Sequence, residues 1–216
     1  MFVGHYSAAL AAKAAEPRGP LWAYVGAAQL LDIGWASLVM AGVEKVRFDP
    51  NLPGSFLVLD YMPFTHSLPA AILWSVAGAA LARWLLKLPW RAAVVLGLVV
   101  FSHWIADFLV HRPDLELLVV PGRVGLAWWD YPMPELLLEA GLVGVTGAAW
   151  LWRRGKEGRA LWPGVIFLTT LLALQGISLF VAPTGSPFAF GRTSLTIYLA
   201  MIGIAALCDL GKPKTA

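Results

Sequence analysis

Six long apolar runs, at roughly 21 to 42, 67 to 86, 90 to 110, 134 to 152, 161 to 182 and 193 to 210, leave this chain few ways to fold. Each is long enough to cross a hydrocarbon layer about 30 Å thick as a helix. The rest of the sequence agrees: 59% of its residues are hydrophobic, only 13% are charged and the mean hydropathy is +0.70, outside the balance of a soluble globular domain. The longest gaps between runs, around 43 to 66 and 111 to 133, leave no room for a soluble domain. The expected fold is all-α: residues 1 to 216 form one integral membrane domain, a polytopic bundle of about six transmembrane helices.

A short N-terminal helix is expected in addition. The Ala-rich stretch from 2 to 15 favours helix and stops at Pro17-Arg18-Gly19-Pro20, a breaker cluster. It either folds back along the first long run as a re-entrant segment or lies amphipathically on the membrane surface. In the first case His5 and Asp32 lie about 12 residues on either side of the turn, each roughly 18 Å deep. The first run carries Gln29 and Asp32 and no basic n-region precedes it, so no cleaved signal peptide is expected. The single cysteine, Cys208, excludes an internal disulfide and a thiolate metal cluster.

Charge orients the bundle. Eleven of the sixteen basic residues, including Arg83, Lys87, Arg91, Arg153, Arg154, Lys156, Lys212 and Lys214, fall at one set of helix ends. Five, Lys45, Arg47, Arg112, Arg123 and Arg192, fall at the other. Basic loops stay cytoplasmic, so the N- and C-terminal basic segments are expected inside. The same distribution accounts for the pI near 9.2 without nucleic acid, for which no motif is present.

The chemistry concentrates in Phe101 to His111. Residues four apart on a helix share a face, so His103, Asp107 and His111 form a polar stripe on an otherwise apolar segment. Imidazole and carboxylate are metal ligands or proton carriers, and at membrane depth ionisable groups are functional candidates. His66, after Pro63-Phe64-Thr65, stands at the entry to the second long run with Ser67 as its expected N-cap, and Glu139 lies inside the fourth. The loop from Arg112 to Pro134, broken by Pro113, Pro121 and Pro132, is expected to cover the site. Gly141, Gly144 and Gly147 offer a close helix approach, and the last two helices are expected to be scaffold.

His5, Leu31-Asp32-Ile33, Phe64-Thr65-His66-Ser67 and Ser102-His103 followed by Asp107 occur here in an order that resembles bacterial membrane-bound metal-dependent hydrolases. That family is itself similar in motif order to zinc-dependent phospholipase C. The resemblance covers roughly residues 1 to 111, and departs from the family pattern at Leu31, Gly34 and Tyr61-Met62-Pro63. It implies a multi-pass protein of the bacterial inner membrane that hydrolyses an ester or phosphoester, with a lipid as the expected substrate.

Under this reading His5, Asp32, His66, His103, Asp107 and His111 hold a divalent metal, zinc by donor type, and Asp32 or Glu139 serves as general base. The alternative is a transporter or channel in which the same groups relay protons or metal ions. Bis-histidine haem ligation leaves the aspartates without a role. Isolated interhelical hydrogen bonds, each worth about 0.6 kcal/mol, leave unexplained why all four histidines would gather.

Overall fold

The computed structural model describes residues 1–117, 122–178 and 185–210. Lys212 and Lys214 of the charge count, Pro121 of the long loop and residues 179 to 182 of the fifth run lie outside the described residues. Eight helices follow in order: α1 (His5–Ala15), α2 (Leu21–Ala28), α3 (Leu30–Met40), α4 (Leu68–Trp84), α5 (Trp90–Val110), α6 (Pro132–Lys156), α7 (Trp162–Ser178) and α8 (Pro187–Asp209). The all-α expectation needs correcting in the two long gaps. There the chain pairs into antiparallel hairpins, β1 (Lys45–Phe48) with β2 (Leu57–Tyr61) and β3 (Leu115–Glu116) with β4 (Arg123–Val124).

The number of spans is also smaller than six. Among the described residues α5, α6 and α8 are long and apolar enough to cross a membrane, and α2 with α3 makes a fourth if the bent pair counts as one span. The physical reasons are local. Gln29 interrupts the first run and the chain bends by 52° there. The Ser67 hydroxyl accepts the Ala70 amide and starts α4 late, while left-handed Lys87 and Pro89 end the hairpin early, leaving a 17-residue helix. The described part of α7 is equally short. Leu73 (70% exposed), Leu98 (61%) and Val145 (73%) point apolar side chains out of the bundle, as lipid-facing helices do.

α1 is not a surface helix. Its His5, Tyr6, Ala9, Leu10 and Ala12 are buried, and it packs against α6, α2 and α5 inside the bundle. Pro17 to Pro20 turns the chain into α2, whose Trp22 amide, in the first turn, donates to Asp209 of α8 at 3.0 Å. At the same end Lys13 approaches Asp209 at 3.7 Å and Arg18 bonds Glu16 at 2.6 Å, so this end collects ionic contacts. α4 and α5 form a tight hairpin because Gly97 has no side chain. A Cβ at Gly97 would lie 2.9 Å from the Ser75 carbonyl oxygen and from Ala79. Of the three expected close-approach glycines only Gly147 meets a neighbour, Leu168; Gly141 and Gly144 face open space among the described residues.

Candidate metal centre

At the end of the bundle opposite those ionic contacts, α1, α3, α4 and α5 deliver their histidines and aspartates to one point. α5 supplies His103, Asp107 and His111 from one face, as its spacing requires. The α1 hairpin brings His5 in, α3 brings Asp32 just below the helix break, and the chain entering α4 brings His66. His5, His66, His103, His111 and Asp107 are each at most 5% exposed, and the Asp32 carboxyl, at 14%, is the most accessible of the set. The expected hairpin pairing needs one correction. His5 does not face Asp32 first: its ring stacks on His103 at 3.5 Å and its Nε2 lies 3.1 Å from Asp107 Oδ1.

Asp107 is the hub. Its Oδ2 lies 3.2 Å from His103 Nε2 and 3.4 Å from His66 Nε2, and Asp32 Oδ1 lies 3.5 and 3.4 Å from the same two nitrogens. On the other side, Asp107 Oδ1 faces His5 Nε2, His111 Nε2 at 3.3 Å and the Met1 amino group at 2.8 Å. Tetrahedral ligands held about 2.0–2.1 Å from a zinc-sized ion lie about 3.3–3.4 Å from one another. The four nitrogen to oxygen separations around His66, His103, Asp32 and Asp107 Oδ2, 3.2 to 3.5 Å, are close to that ligand–ligand distance.

The outward edges of the rings fix their tautomers. His103 Nδ1 donates to the Ala28 carbonyl at 2.7 Å, an acceptor freed by the break at Gln29. Thr65 Oγ1 donates its only proton to Glu44 Oε2 at 2.7 Å and so accepts one from His66 Nδ1 at 2.8 Å. His111 Nδ1 donates to Asp114 Oδ1 at 2.9 Å. In their neutral forms all three rings then direct an Nε2 lone pair at a carboxylate oxygen, whereas a protonated ring would donate to it. Two acceptors facing each other repel unless a cation or proton lies between them, and this outer-partner arrangement is the one metal-bound histidines adopt.

Hydrogen bonding leaves the centre incomplete. His103 Nε2, Asp107 Oδ2 and both nitrogens of His5 are buried without a hydrogen-bond partner among the described residues. Each such group costs about 1–3 kcal/mol if nothing satisfies it. His5, His103 and Asp107, and separately Asp32, His66 and His103, each offer ligand atoms within 4.8 Å of one another. The donor set fits a metal ion, and a buried His/Asp group able to hold one is present.

Glu139, the other carboxylate expected here, lies next to the centre but is engaged differently. Its two oxygens accept the Phe2 and Gly4 amides, both at 2.8 Å, and hold the start of α1 in place. Asp60 is exposed and pairs with Arg47 at 3.1 Å on the hairpin, away from the cluster. The long loop does reach the site: the buried Trp129 ring lies 4.1 Å from His111, and the Leu126 and Ala127 amides bond the end of α5.

Sequence reasoning passed over Glu44, Asp114 and Tyr198. Glu44 and Asp114 read as loop acids, although each follows a helix end from which it returns to a histidine. Burial raises the Glu44 carboxyl above its usual range, while the Thr65 hydroxyl and the Phe64 and Thr65 amides favour its ionised form. Tyr198, buried on α8, lies beside Asp32, so the last helix is not only scaffold. A tyrosine in an apolar helix gives no signal of this in sequence. Comparison with known proteins gives no matching family model, no matching curated protein and no similar solved structure.

Proposed function

We propose that this protein is a membrane-embedded, metal-dependent hydrolase of an ester or phosphoester, with a membrane lipid as substrate. The observation that carries the proposal is the outward anchoring of Nδ1 in His66, His103 and His111, with their Nε2 atoms converging on Asp32 and Asp107 and with His103 Nε2 and Asp107 Oδ2 buried without a hydrogen-bond partner among the described residues. In this reading His66, His103, Asp32 and Asp107 hold a Zn²⁺-like ion, and His5 and His111 complete the set from the second oxygen of Asp107. A bound ion of this kind polarises a substrate oxygen and acidifies water.

The chain's own groups then have distinct tasks. Asp32, the most accessible carboxyl of the cluster, accepts a proton, and Tyr198 beside it orients that carboxyl. Glu139 positions His5 by fixing the backbone at Phe2 and Gly4, so it acts through another residue. Tyr61, Phe64, Leu126 and Met133 expose apolar surface on the segments around the site, which suits an amphiphilic substrate. The motif resemblance to bacterial membrane-bound hydrolases points the same way and suits an inner-membrane protein, and the charge distribution favours its basic ends inside.

Elemental mass spectrometry of detergent-purified wild type and His103→Ala tests the metal, and turnover of nitrophenyl phosphoesters and phospholipids by metal-loaded protein tests the hydrolysis. Stoichiometric metal lost in the variant, with turnover abolished by chelation, is the expected result. Folded wild type that takes up no metal on reloading overturns the reading.

One observation favours a second reading, a transporter that relays protons or metal ions. The 52° bend between α2 and α3 at Gln29, whose side-chain amide is buried without a partner among the described residues, lies one residue from the Ala28 carbonyl that holds His103, and bent or broken helices line ion sites in transporters. Metal bound without turnover, together with metal or proton flux into proteoliposomes, selects it.

A further inference from the structure

A cavity of about 570 Å³ opens between the ends of α6, α7 and α8, at the basic end of the bundle and far from the histidine cluster. Its volume is within the roughly 300–1,000 Å³ of small-ligand sites. Arg154 and Arg159 line it together with Trp162, Ile166, Leu207 and Leu210. The two kinds of wall face different surroundings. Trp162 (67% exposed), Ile166 (50%), Leu207 (62%) and Leu210 (66%) form an apolar mouth on the outside of the bundle.

Arg154 is 5% exposed and bonds only neutral acceptors, the carbonyls of Ala160 and Cys208, through Nε and Nη1. Among the described residues no carboxylate forms an ion pair with it, because the nearby Glu157 is taken by Arg153 at 3.0 Å and Arg159 at 3.9 Å. Asp209 and Glu157 lie near enough to act on Arg154 but neither pairs with it directly, and a buried guanidinium that lines a cavity without a direct ion pair can take an anion there. The apolar mouth calls for a hydrocarbon chain. Neither need is met by a free inorganic anion or by a neutral lipid alone.

We propose that this cavity binds an anionic phospholipid, its phosphate on Arg154 and Arg159 and its upper acyl chain against Trp162, Ile166 and Leu207. The level agrees, since Trp162 begins α7 and Leu210 follows the last turn of α8, where headgroups meet hydrocarbon. Basic pockets between membrane helices recognise anionic headgroups through the same combination of charge and burial. The site is independent of the proposed hydrolytic chemistry and needs no metal.

Native mass spectrometry of the full chain, titrated with short-chain phosphatidylglycerol or phosphatidylcholine, tests it. The wild type is expected to retain phosphatidylglycerol preferentially, and Arg159→Gln to lower that preference about fivefold, the effect of one basic residue at a membrane surface. Ile166→Trp fills the mouth while keeping both guanidiniums, and is expected to lower retention of both lipids. An Arg154→Gln variant is included where it folds, as judged by a single monodisperse species with the wild-type thermal midpoint. No lipid preference in the wild type, or retention unchanged in both Arg159→Gln and Ile166→Trp, overturns the proposal. So does displacement by inorganic phosphate as readily as by phosphatidylglycerol, since the cavity would then take the bare anion.

Discussion

α5 and α6 each carry one fully buried carboxylate on a long apolar helix, and the two are satisfied in opposite ways. Glu139 of α6 meets two backbone amides of the N-terminal segment and needs nothing more. Asp107 of α5 meets four imidazole nitrogens at 3.1 to 3.4 Å; its Oδ1 accepts the Met1 ammonium at 2.8 Å, and its Oδ2 has no hydrogen-bond partner among the described residues. The first is a structural clasp, in which amide dipoles substitute for water around a carboxylate. The second gathers several nitrogens on a carboxylate that keeps one oxygen open to a cation. Burial of an acid inside a membrane helix is thus not enough to mark a metal site; the identity and direction of the atoms facing it decide.

The largest effect expected from this contrast is on metal content. Asp107→Ala removes the oxygens on which both halves of the cluster converge and should abolish stoichiometric metal, whereas Glu139→Gln should retain it, both read by elemental analysis of folded protein. Equal metal in the two variants would erase the distinction. Next comes the outer partner of His66. Thr65→Val frees the Nδ1 edge and should weaken metal affinity about 10–100-fold in chelator competition. Thr65→Ser, which keeps the hydroxyl, should restore it.

The clasp has its own signature. Glu139→Gln keeps one acceptor but turns an NH2 group on the other backbone amide, and should lower stability by about 1–3 kcal/mol, measured by thermal unfolding in detergent. If metal is lost in that variant without destabilisation, Glu139 belongs to the centre after all. The smallest effect concerns a third acid, Glu16, at the opposite end of the bundle. The Arg18 guanidinium that bonds it holds its carboxyl at about 2, below its usual 4.5. Because the folded value is the lower one, the pair contributes stability above pH 4.5 that is lost as pH falls from 4.5 towards 2. Arg18 is mostly solvated, so the expected change is slight, and Glu16→Gln should flatten the thermal midpoint across that range.

Hydropathy alone determined that the chain is mostly helical, with helices long and apolar enough to cross a membrane. It also located α5 from Trp90 to Val110, because a long uninterrupted apolar run has no other stable form in lipid. The i, i+4 spacing of His103, Asp107 and His111 placed them on one face for the same local reason. The number of spans was not readable, since whether 17 residues or a run broken at Gln29 cross a bilayer depends on caps and bends that hydropathy averages away. Nor could spacing tell that His5 would meet Asp107 before Asp32, or that Glu139 would clasp Phe2 and Gly4. Those outcomes depend on contacts between residues more than a hundred positions apart, which only the packing of α1 against α5 and α6 creates. The freed Ala28 carbonyl, the Glu44–Thr65 relay and Tyr198 beside Asp32 are likewise products of the tertiary fold, because the direction of an imidazole lone pair is set by whatever its other nitrogen can reach.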